Sequence, residues 1–463
     1  MSGKTAEHSG LLARFLRRIY RRSDFSAFPM IVLGFAAIIF LGGLLLSLPI
    51  AAADGKSVGW FDALFTSVSA VCVTGLVVRD TGTVYSMFGH VVLLALIQLG
   101  GLGFMTFATL VFRLMGRQAS LRERMILRES MNEEGGGVVR LVYWVALSTL
   151  AVELTGGALF AIRFVPLYGP GKGVFFSVFH AVSAFCNAGF DLFGGGRSLT
   201  GFAGDVFVNA VAIALVIVGG LGFGAMNDML RRRRFSKLRL HTKLVLVSYG
   251  SLLLGAFFVN LALEWSNPAT LGPLDVGHKL LAALFQSVTL RTAGFNTIDQ
   301  AALRDATKLF NCVMMFIGAA PASTGGGVKV TTVAILWLTV RMIVRGEDDL
   351  NVFGRRVDRG LIQRALAIAL IALGVVFVDV CALSLMQPET PFLDILYECA
   401  SAMGTVGISA MGSANLRPLG RVLIMLTMFA GRVGPLTLAL LFASRQRRTK
   451  AFVRYPEDRV MIG

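Results

Sequence analysis

Four short segments of this chain carry residues whose types and spacing could do chemistry. They read ALFTSVSAVCVTGL (63–76), SVFHAVSAFCNAGF (177–190), ALFQSVTLRTAGF (283–295) and ILYECASAMGTVGI (395–408). Each has an aromatic residue at its third position, small residues in the middle, and an ending of small residue, glycine, apolar residue; the third copy is one residue shorter. The recurring glycines are Gly75, Gly189, Gly294 and Gly407, about 105–114 residues apart. Glycine reaches backbone angles closed to other residues, so the carbonyls around it can turn toward a central ion. Rings of carbonyls that replace a hydration shell are how cation filters work. The residues expected to supply those oxygens are Val73, Thr74 and Gly75; Asn187, Ala188 and Gly189; Thr292, Ala293 and Gly294; and Thr405, Val406 and Gly407. The competing reading makes the glycines mere helix-packing contacts, as small residues often are in membranes; four copies in register weigh against it.

The elements that must position these segments are long and apolar. Of 463 residues, 55% are hydrophobic and 15% charged, against about 25% charged in soluble domains. A soluble globular protein, a disordered tail and a disulfide-stapled secreted module are thereby excluded. Five cysteines form no CxxC pair, and five dispersed histidines suggest no zinc enzyme. Long apolar stretches flank each short segment, at roughly 28–49 and 84–112, 138–165 and 203–230, 243–263 and 304–340, 360–385 and 418–443. Each is long enough to cross a bilayer, whereas the short segments fit re-entrant half-helices. The expected fold is an all-α integral membrane protein of four tandem helix–pore-helix–helix repeats around one central pore, with eight spans and four half-helices. The parts are a cytoplasmic segment 1–27, repeats 28–112, 138–230, 240–340 and 360–443, and a cytoplasmic tail 444–463. Irregular backbone at membrane depth is tolerated only where it is buried in protein or lines a watery cavity, so the four loops should converge. The apolar start at 28–49 continues into further apolar stretches, so it is not read as a cleavable signal.

The net charge of +17 has a distribution that explains it. Thirty-one of 44 Lys and Arg fall in clusters at 4–22, 113–140, 231–243, 341–364 and 445–459. Most others lie in the alternate connections, leaving Lys329 and Arg432 inside apolar stretches. This is the positive-inside pattern with both termini cytoplasmic, and contact with anionic lipid headgroups accounts for the charge. No nucleic-acid partner is expected.

A helix over 309–340 would be roughly 48 Å long, beyond a hydrocarbon core of about 30 Å. It would also contain Gly318, Pro321 and the run Gly325, Gly326 and Gly327, which oppose helix continuity. A broken helix is expected, with a loop of small residues at about 318–328 (Ala320, Ser323 and Thr324 among them) that can block ion flow below the filter. The alternative is a static kink. Arg432 lies deep in the last span, where an ionisable side chain is functional by default: it holds the loop or repels ions, or else it pairs with Glu153 or Asp379. Lys329 is expected to snorkel toward the cytoplasmic interface. Asp62 and Asp394 are expected to cap half-helices. Asp191 and Asp299 closely follow filter loops and are the candidate pore-mouth acids; Asp54, Asp80, Asp275 and Glu398 belong to the same outer set. GGLGF at 100–104 and 219–223 lies inside apolar stretches and lacks the strand–turn–helix context of a nucleotide fingerprint.

The segments WFDALFTSVSAVCVTGLVVRDTGT (60–83), LIQLGGLGFMTF (96–107), LFQSVTLRTAGFNTID (284–299), FIGAAPASTGGGVKVTT (316–332), FAGRVGPLT (429–437) and RYPEDRVMIG (454–463), in this order, resemble the Trk/Ktr/HKT superfamily of potassium transporters. Within it, the chain looks most like the KtrB-type membrane subunit, over nearly its whole length. The resemblance implies four membrane–pore–membrane units around one path and K⁺ uptake through a channel-like pore. It implies a homodimer with a pore in each chain, gated by a cytosolic RCK ring that binds ATP or ADP, with no nucleotide bound by this chain. It implies the plasma membrane of a prokaryote, a gating role for 318–328, a pore-facing Arg432, and an ordered role for the C-terminal tail at the dimer or ring contact. Glycine at all four filter positions, Gly75 included, accompanies K⁺ preference in the family, and Na⁺ enters as an activator or coupling ion. The GGG run departs from the small polar residues found there in relatives. The rival readings are a Na⁺-permeable or coupled K⁺/Na⁺ symporter and, from another class, a membrane enzyme or structural anchor.

Overall fold

The computed structural model describes residues 27–103 and 138–434. The terminal segments 1–26 and 435–463, with the tail expected at 444–463, and the basic cluster from 113 to 137 lie outside the described residues. In chain order the helices are α1 (Ala27–Ser47), α2 (Trp60–Val71), α3 (Met87–Leu102), α4 (Val138–Tyr168), α5 (Pro170–Phe185), α6 (Val206–Gly220) and α7 (Phe223–Arg232). They continue as α8 (Leu240–Glu264), α9 (Val276–Thr289), α10 (Asp305–Phe316), α11 (Val330–Val344), α12 (Arg359–Met386), α13 (Phe392–Gly404) and α14 (Pro418–Val433). The structure is mostly helical, as expected. It departs from all-α in a hairpin between α11 and α12, where β1 (Asn351–Val352) pairs antiparallel with β2 (Arg355–Arg356).

Among the described residues, three helices are long and apolar enough to cross a membrane: Val142–Tyr168, Leu240–Glu264 and Arg359–Met386. The pair α6 and α7 would make a fourth span, but it bends by 97° at Leu221–Gly222. The single span expected at 203–230 is therefore broken. In the stretch expected at 84–112, α3 stops at Leu102. The break expected at about 318–328 is present between α10, which ends at Phe316, and α11, which starts at Val330.

Packing follows the fourfold repeat. Within each repeat the first long helix lies against the short one: α1 on α2, α4 on α5, α8 on α9, α12 on α13. Each following helix then touches the short helix of the next repeat: α3 meets α5, α6 meets α9, α10 meets α13, and α14 returns to α2. That last contact joins the end of the chain to its beginning and closes a ring. The core lies between the helices of the ring, where Phe65, Phe179, Phe185, Phe285 and Tyr397 on the short helices are buried. The long helices instead expose Leu147, Leu154, Phe258, Leu370 and Phe377 outward; exposed apolar faces of this extent suit a lipid solvent.

Polar pairs reinforce the same neighbours. Asp62, in the first turn of α2, pairs with Arg421 of α14 and with Arg79, each at 2.7 Å. Asp394, in the first turn of α13, pairs at 2.7 Å with the nearly buried Lys308 of α10. Both carboxylates stand thirteen residues before their repeat's glycine. Neither caps its helix by a side-chain hydrogen bond; the expected capping role is replaced by ion pairing across repeats. Among the described residues the capping aspartates are Asp80, ahead of the single helical turn Thr81–Val84, Asp205 ahead of α6 and Asp275 ahead of α9.

Candidate functional site

The four short helices end at one place. At or just after each C-cap the chain enters a three-residue strand whose backbone alternates in hand. Val73, Asn187, Thr292 and Thr405 have φ of 55°, 58°, 69° and 51°, and the glycines two residues on have 93°, 68°, 81° and 92°. Thr74, Ala188, Ala293 and Val406, between them, stay outside the positive-φ set. Alternating hand turns successive peptide planes the same way, so neighbouring carbonyls face one side of each strand. The helix C-termini add partial negative charge beneath them.

The glycines form the closed ring that the sequence pattern suggests. A Cβ on Gly75 would lie 2.5 Å from the Ala188 carbonyl oxygen, and one on Gly189 would lie 2.6 Å from the Gly294 Cα. A Cβ on Gly294 would lie 2.9 Å from the Val406 carbonyl oxygen, and one on Gly407 would strike the Thr74 carbonyl. Each strand thus abuts the next, 75 to 189 to 294 to 407 and back to 75. Positive φ and this close approach together exclude any side chain there. The preceding residues of all four strands are buried, and the Asn187 amide meets the Thr292 hydroxyl at 3.3 Å.

Hydroxyl groups on the short helices hold the strands. Ser69 Oγ accepts from the Gly75 N–H at 3.0 Å, and Ser401 Oγ accepts from the Gly407 N–H at 3.1 Å. Ser183 Oγ donates to the Phe190 carbonyl at 2.8 Å, and Thr289 Oγ1 donates to the Phe295 carbonyl at 2.5 Å. In the sequence these positions stand out only as small residues. The signal was a hydroxyl six residues before the glycine in three copies, and five before it in the shortened third.

The loop between α10 and α11 sits against this ring. The Gly318 N–H donates to the Val328 carbonyl at 2.8 Å and closes the loop's base. Thr324 Oγ1 donates to the Phe185 carbonyl at 3.1 Å, and the Gly326 N–H donates to Thr405 Oγ1 at 3.1 Å. A Cβ on Gly325 would collide with Thr292 Oγ1, and one on Gly326 would lie 2.9 Å from Thr405 Cγ2. The Ala320 and Thr324 N–H groups reach the Gly220 and Gly219 carbonyls at 3.1 and 3.3 Å, and the Gly327 N–H reaches Gly431 at 3.2 Å. Ser323 Oγ closes on the Ala320 carbonyl at 2.6 Å. Pro321 presents its carbonyl to Gly222, where a Cβ would lie 2.5 Å away.

Arg432 bridges the loop to the first repeat. Its guanidinium donates to the Thr324 carbonyl and to the carbonyls of Gly100 and Gly101. The alternative salt bridges are not formed: Glu153 is engaged by Gln98 and Cys186, and Asp379 by Thr427. Lys329 does not reach for the interface, because its Nζ donates to the Gly325 carbonyl at 2.7 Å.

GGLGF, set aside as a nucleotide motif, has a structural role in the repeat. Gly103, Gly222 and Gly434 stand at φ of 78°, 86° and 96° just past the ends of α3, α6 and α14. Three residues earlier, Gly100, Gly219 and Gly431 press on the carbonyls of Val71, Phe185 and Met403 at the ends of the short helices. In the fourth repeat, Arg432 occupies the position that Gly101 and Gly220 hold in the first and second. A repeated glycine has been exchanged for a side chain long enough to reach the loop.

On the other side of the ring a cavity of about 340 Å³ is lined by the four glycines and by Asp80, Asp191 and Asp299. Asp191 accepts from the Phe193 N–H at 3.1 Å and Asp299 from the Ala301 N–H at 3.0 Å. Burial pushes the Asp191 carboxyl up to about 6, against its backbone hydrogen bonds and helped by the nearby Asp80 charge. Asp80 accepts from the Gly195 N–H at 2.5 Å and ties the first repeat's loop to the second's. Glu398, expected in the outer acidic set, is buried on α13, where Ser409 and Ser413 donate to it. Among the described residues no group of His, Cys, Asp and Glu could hold a metal ion.

Residues 28–451 match the family model described as TrkH, cation transport protein. The chain is 42% identical over 437 residues to the Ktr system potassium uptake protein B of Bacillus subtilis, covering 94% of this chain and 96% of the relative. It is 36% identical over 446 residues to the potassium/sodium uptake protein NtpJ of Enterococcus hirae, covering 96% and 98%. The crystal structure of the potassium transporter TrkH from Vibrio parahaemolyticus superposes with a TM-score of 0.71 at 18% identity, over 94% of this chain and 87% of that one; at that identity the likeness speaks for the fold.

Proposed function

The chain belongs to the TrkH family of cation transport proteins and is a transporter rather than an enzyme, and on that premise we propose that it is the K⁺-selective translocating subunit of a Ktr-type potassium uptake system. The observation that carries this reading is the closed ring of four glycine strands with alternating backbone hand. Ions exchange hydration water for carbonyl oxygens of Val73–Gly75, Asn187–Gly189, Thr292–Gly294 and Thr405–Gly407, with Asp191 and Asp299 at the mouth. Glycine at all four positions favours K⁺ over Na⁺. Na⁺ acts as an activator or coupling ion, a role supported by the name of the Enterococcus relative, a potassium/sodium uptake protein.

The loop from Gly318 to Val328 is the gate. It is seated on three of the four strands or their helices and fastened by Arg432. A cytosolic nucleotide-binding ring moves it, approaching the basic loops at 231–243 and 341–359, and the subunit works as a homodimer. Four repeats (28–112, 138–230, 240–340 and 360–443) give eight spans and four half-helices in the plasma membrane of a prokaryote, with both termini cytoplasmic and basic loops on anionic lipid. The test is growth on low K⁺ of a host lacking its own K⁺ uptake. Expression of this chain with a Ktr-type ring subunit should restore growth, and Gly294→Ser should abolish it at equal membrane abundance. Unchanged rescue by Gly294→Ser would overturn the filter assignment.

A further inference from the structure

Arg291 is the largest fully buried side chain among the described residues, with no exposed surface. It immediately precedes Thr292 of the third strand, yet it points away from the ring. Its Nη1 donates to the Ile317 carbonyl at 2.7 Å and its Nη2 to the Met314 carbonyl at 2.5 Å, while its Nε has no partner. Met314 lies in the last turn of α10, and Ile317 is the first residue of the loop. Both carbonyls are among those a helix end leaves without intrahelical partners. A cation there is favoured by the helix dipole. Among the described residues no carboxylate forms an ion pair with the guanidinium. A buried charge held only by carbonyls is expensive, and an apolar side chain of similar volume would fill the space at lower cost. Its value must come from the two elements it joins.

We propose that Arg291 is a positioning residue that pins the end of α10 to the third filter strand, so that the gate loop hinges from Gly318 onward while the filter keeps its register. The loop's own base supports this division. Ile317 pairs with Val328, and the Gly318 N–H closes on the Val328 carbonyl, so the moving part begins one residue beyond the atom that Arg291 holds. Without the pin, the third strand would share the loop's displacement, and ion preference would depend on whether the gate is seated.

The inference rests on the conduction reading above, and the test separates the two. The full complex is reconstituted in liposomes, and K⁺ and Na⁺ fluxes are measured for wild type, Arg432→Gln, Arg291→Gln and the double variant. Arg432→Gln should raise flux and leave the K⁺/Na⁺ ratio unchanged. Arg291→Gln should lower the ratio by at least about threefold, and further when combined with Arg432→Gln, the size of effect expected of residues coupled through a shared backbone shift. Arg291→Lys keeps the charge and one of the two bonds but not the planar fork; it covers the case in which the glutamine variant does not assemble, and it should fall between. A ratio within about twofold of wild type in both gate backgrounds, for whichever Arg291 variant folds, overturns the inference and leaves the conduction reading standing. Absence of K⁺ flux in wild type overturns both.

Discussion

Arg432 donates to the carbonyl of Thr324, 108 residues earlier in the chain. This joins the last described helix to the middle of a loop seated against the glycine ring. The same guanidinium also holds Gly100 and Gly101, so one side chain connects the fourth repeat, the third and the first. Hydrogen bonds from a charged group contribute about 1.5–3 kcal/mol each, enough for a single residue to set whether the loop stays seated.

Arg432→Gln should therefore release the loop. K⁺ flux through liposomes carrying this subunit without its ring partner should rise about tenfold or more, the equivalent of one such bond. Unchanged flux at equal protein content would remove Arg432 from the gate.

The ring glycines admit no methyl group. Gly407→Ala would place a Cβ against the Thr74 carbonyl at a φ of 92°. Strained backbone of this kind costs about 1–3 kcal/mol before any clash, so K⁺ flux should fall at least about tenfold. Gly250→Ala, in α8 with nothing within 4 Å of the added atom, should leave flux at the wild-type level.

The hydroxyls under the strands should affect selectivity more than folding. Ser69→Ala and Ser401→Ala each leave a filter N–H without its acceptor, at a cost of about 1–3 kcal/mol localised in the ring. The K⁺/Na⁺ flux ratio should fall severalfold in each, while the melting temperature in detergent moves by only a few degrees.

Asp394→Asn should destabilise the assembly strongly. It leaves the Lys308 ammonium, whose side chain is 8% exposed, without its carboxylate. Breaking a buried pair from one side costs about 3–5 kcal/mol. Glu389→Gln breaks the exposed pair with Arg417 and should cost less than about 1 kcal/mol. Thermal melts of the two variants in one detergent compare them directly.

Asp191 gives a pH dependence at the mouth. Its folded-state value near 6 is raised above the ordinary 3.8, so the folded protein binds the proton more tightly than the unfolded chain. Its contribution to stability is accordingly largest below about pH 4 and is lost as pH rises through 6. Function runs the other way, because the carboxylate attracts K⁺ only when ionised. K⁺ uptake should decline as external pH falls through 6, and Asp191→Asn should flatten that step and hold uptake at its low-pH level.

The sequence carried the ring because its requirement is local. A left-handed φ at a point where the neighbouring strand leaves no room for a Cβ, repeated four times, makes Gly75, Gly189, Gly294 and Gly407 visible in the sequence. The break after Phe316 was legible for the same reason, in Pro321 and the Gly325–Gly327 run. Partners distant in the chain were not. Arg432 could be placed near the path, but nothing local tells a guanidinium bound for the Thr324 carbonyl from one bound for Glu153. Asp62 and Asp394 stand where a cap would, and only the ring's closure brings Arg421 and Lys308 to them. Arg291 reads from the chain as one more basic residue in an outer connection; its burial follows from packing against α10. The helix ends at Gly103, Gly222 and Gly434 share a common spacing in GGLG, GGLG and GRVG, hidden because the third repeat interrupts the pattern with its longer loop.

The central claim, that four glycine strands form a K⁺-selective filter, is tested most directly by ion-replacement flux in liposomes holding the purified complex, with wild type beside Gly294→Ser. K⁺ flux should exceed Na⁺ flux by at least about tenfold in wild type, a preference of about 1.4 kcal/mol or more, and the variant should lose that preference. Equal K⁺ and Na⁺ flux in wild type, or a Gly294→Ser protein that keeps wild-type flux and preference, would contradict it.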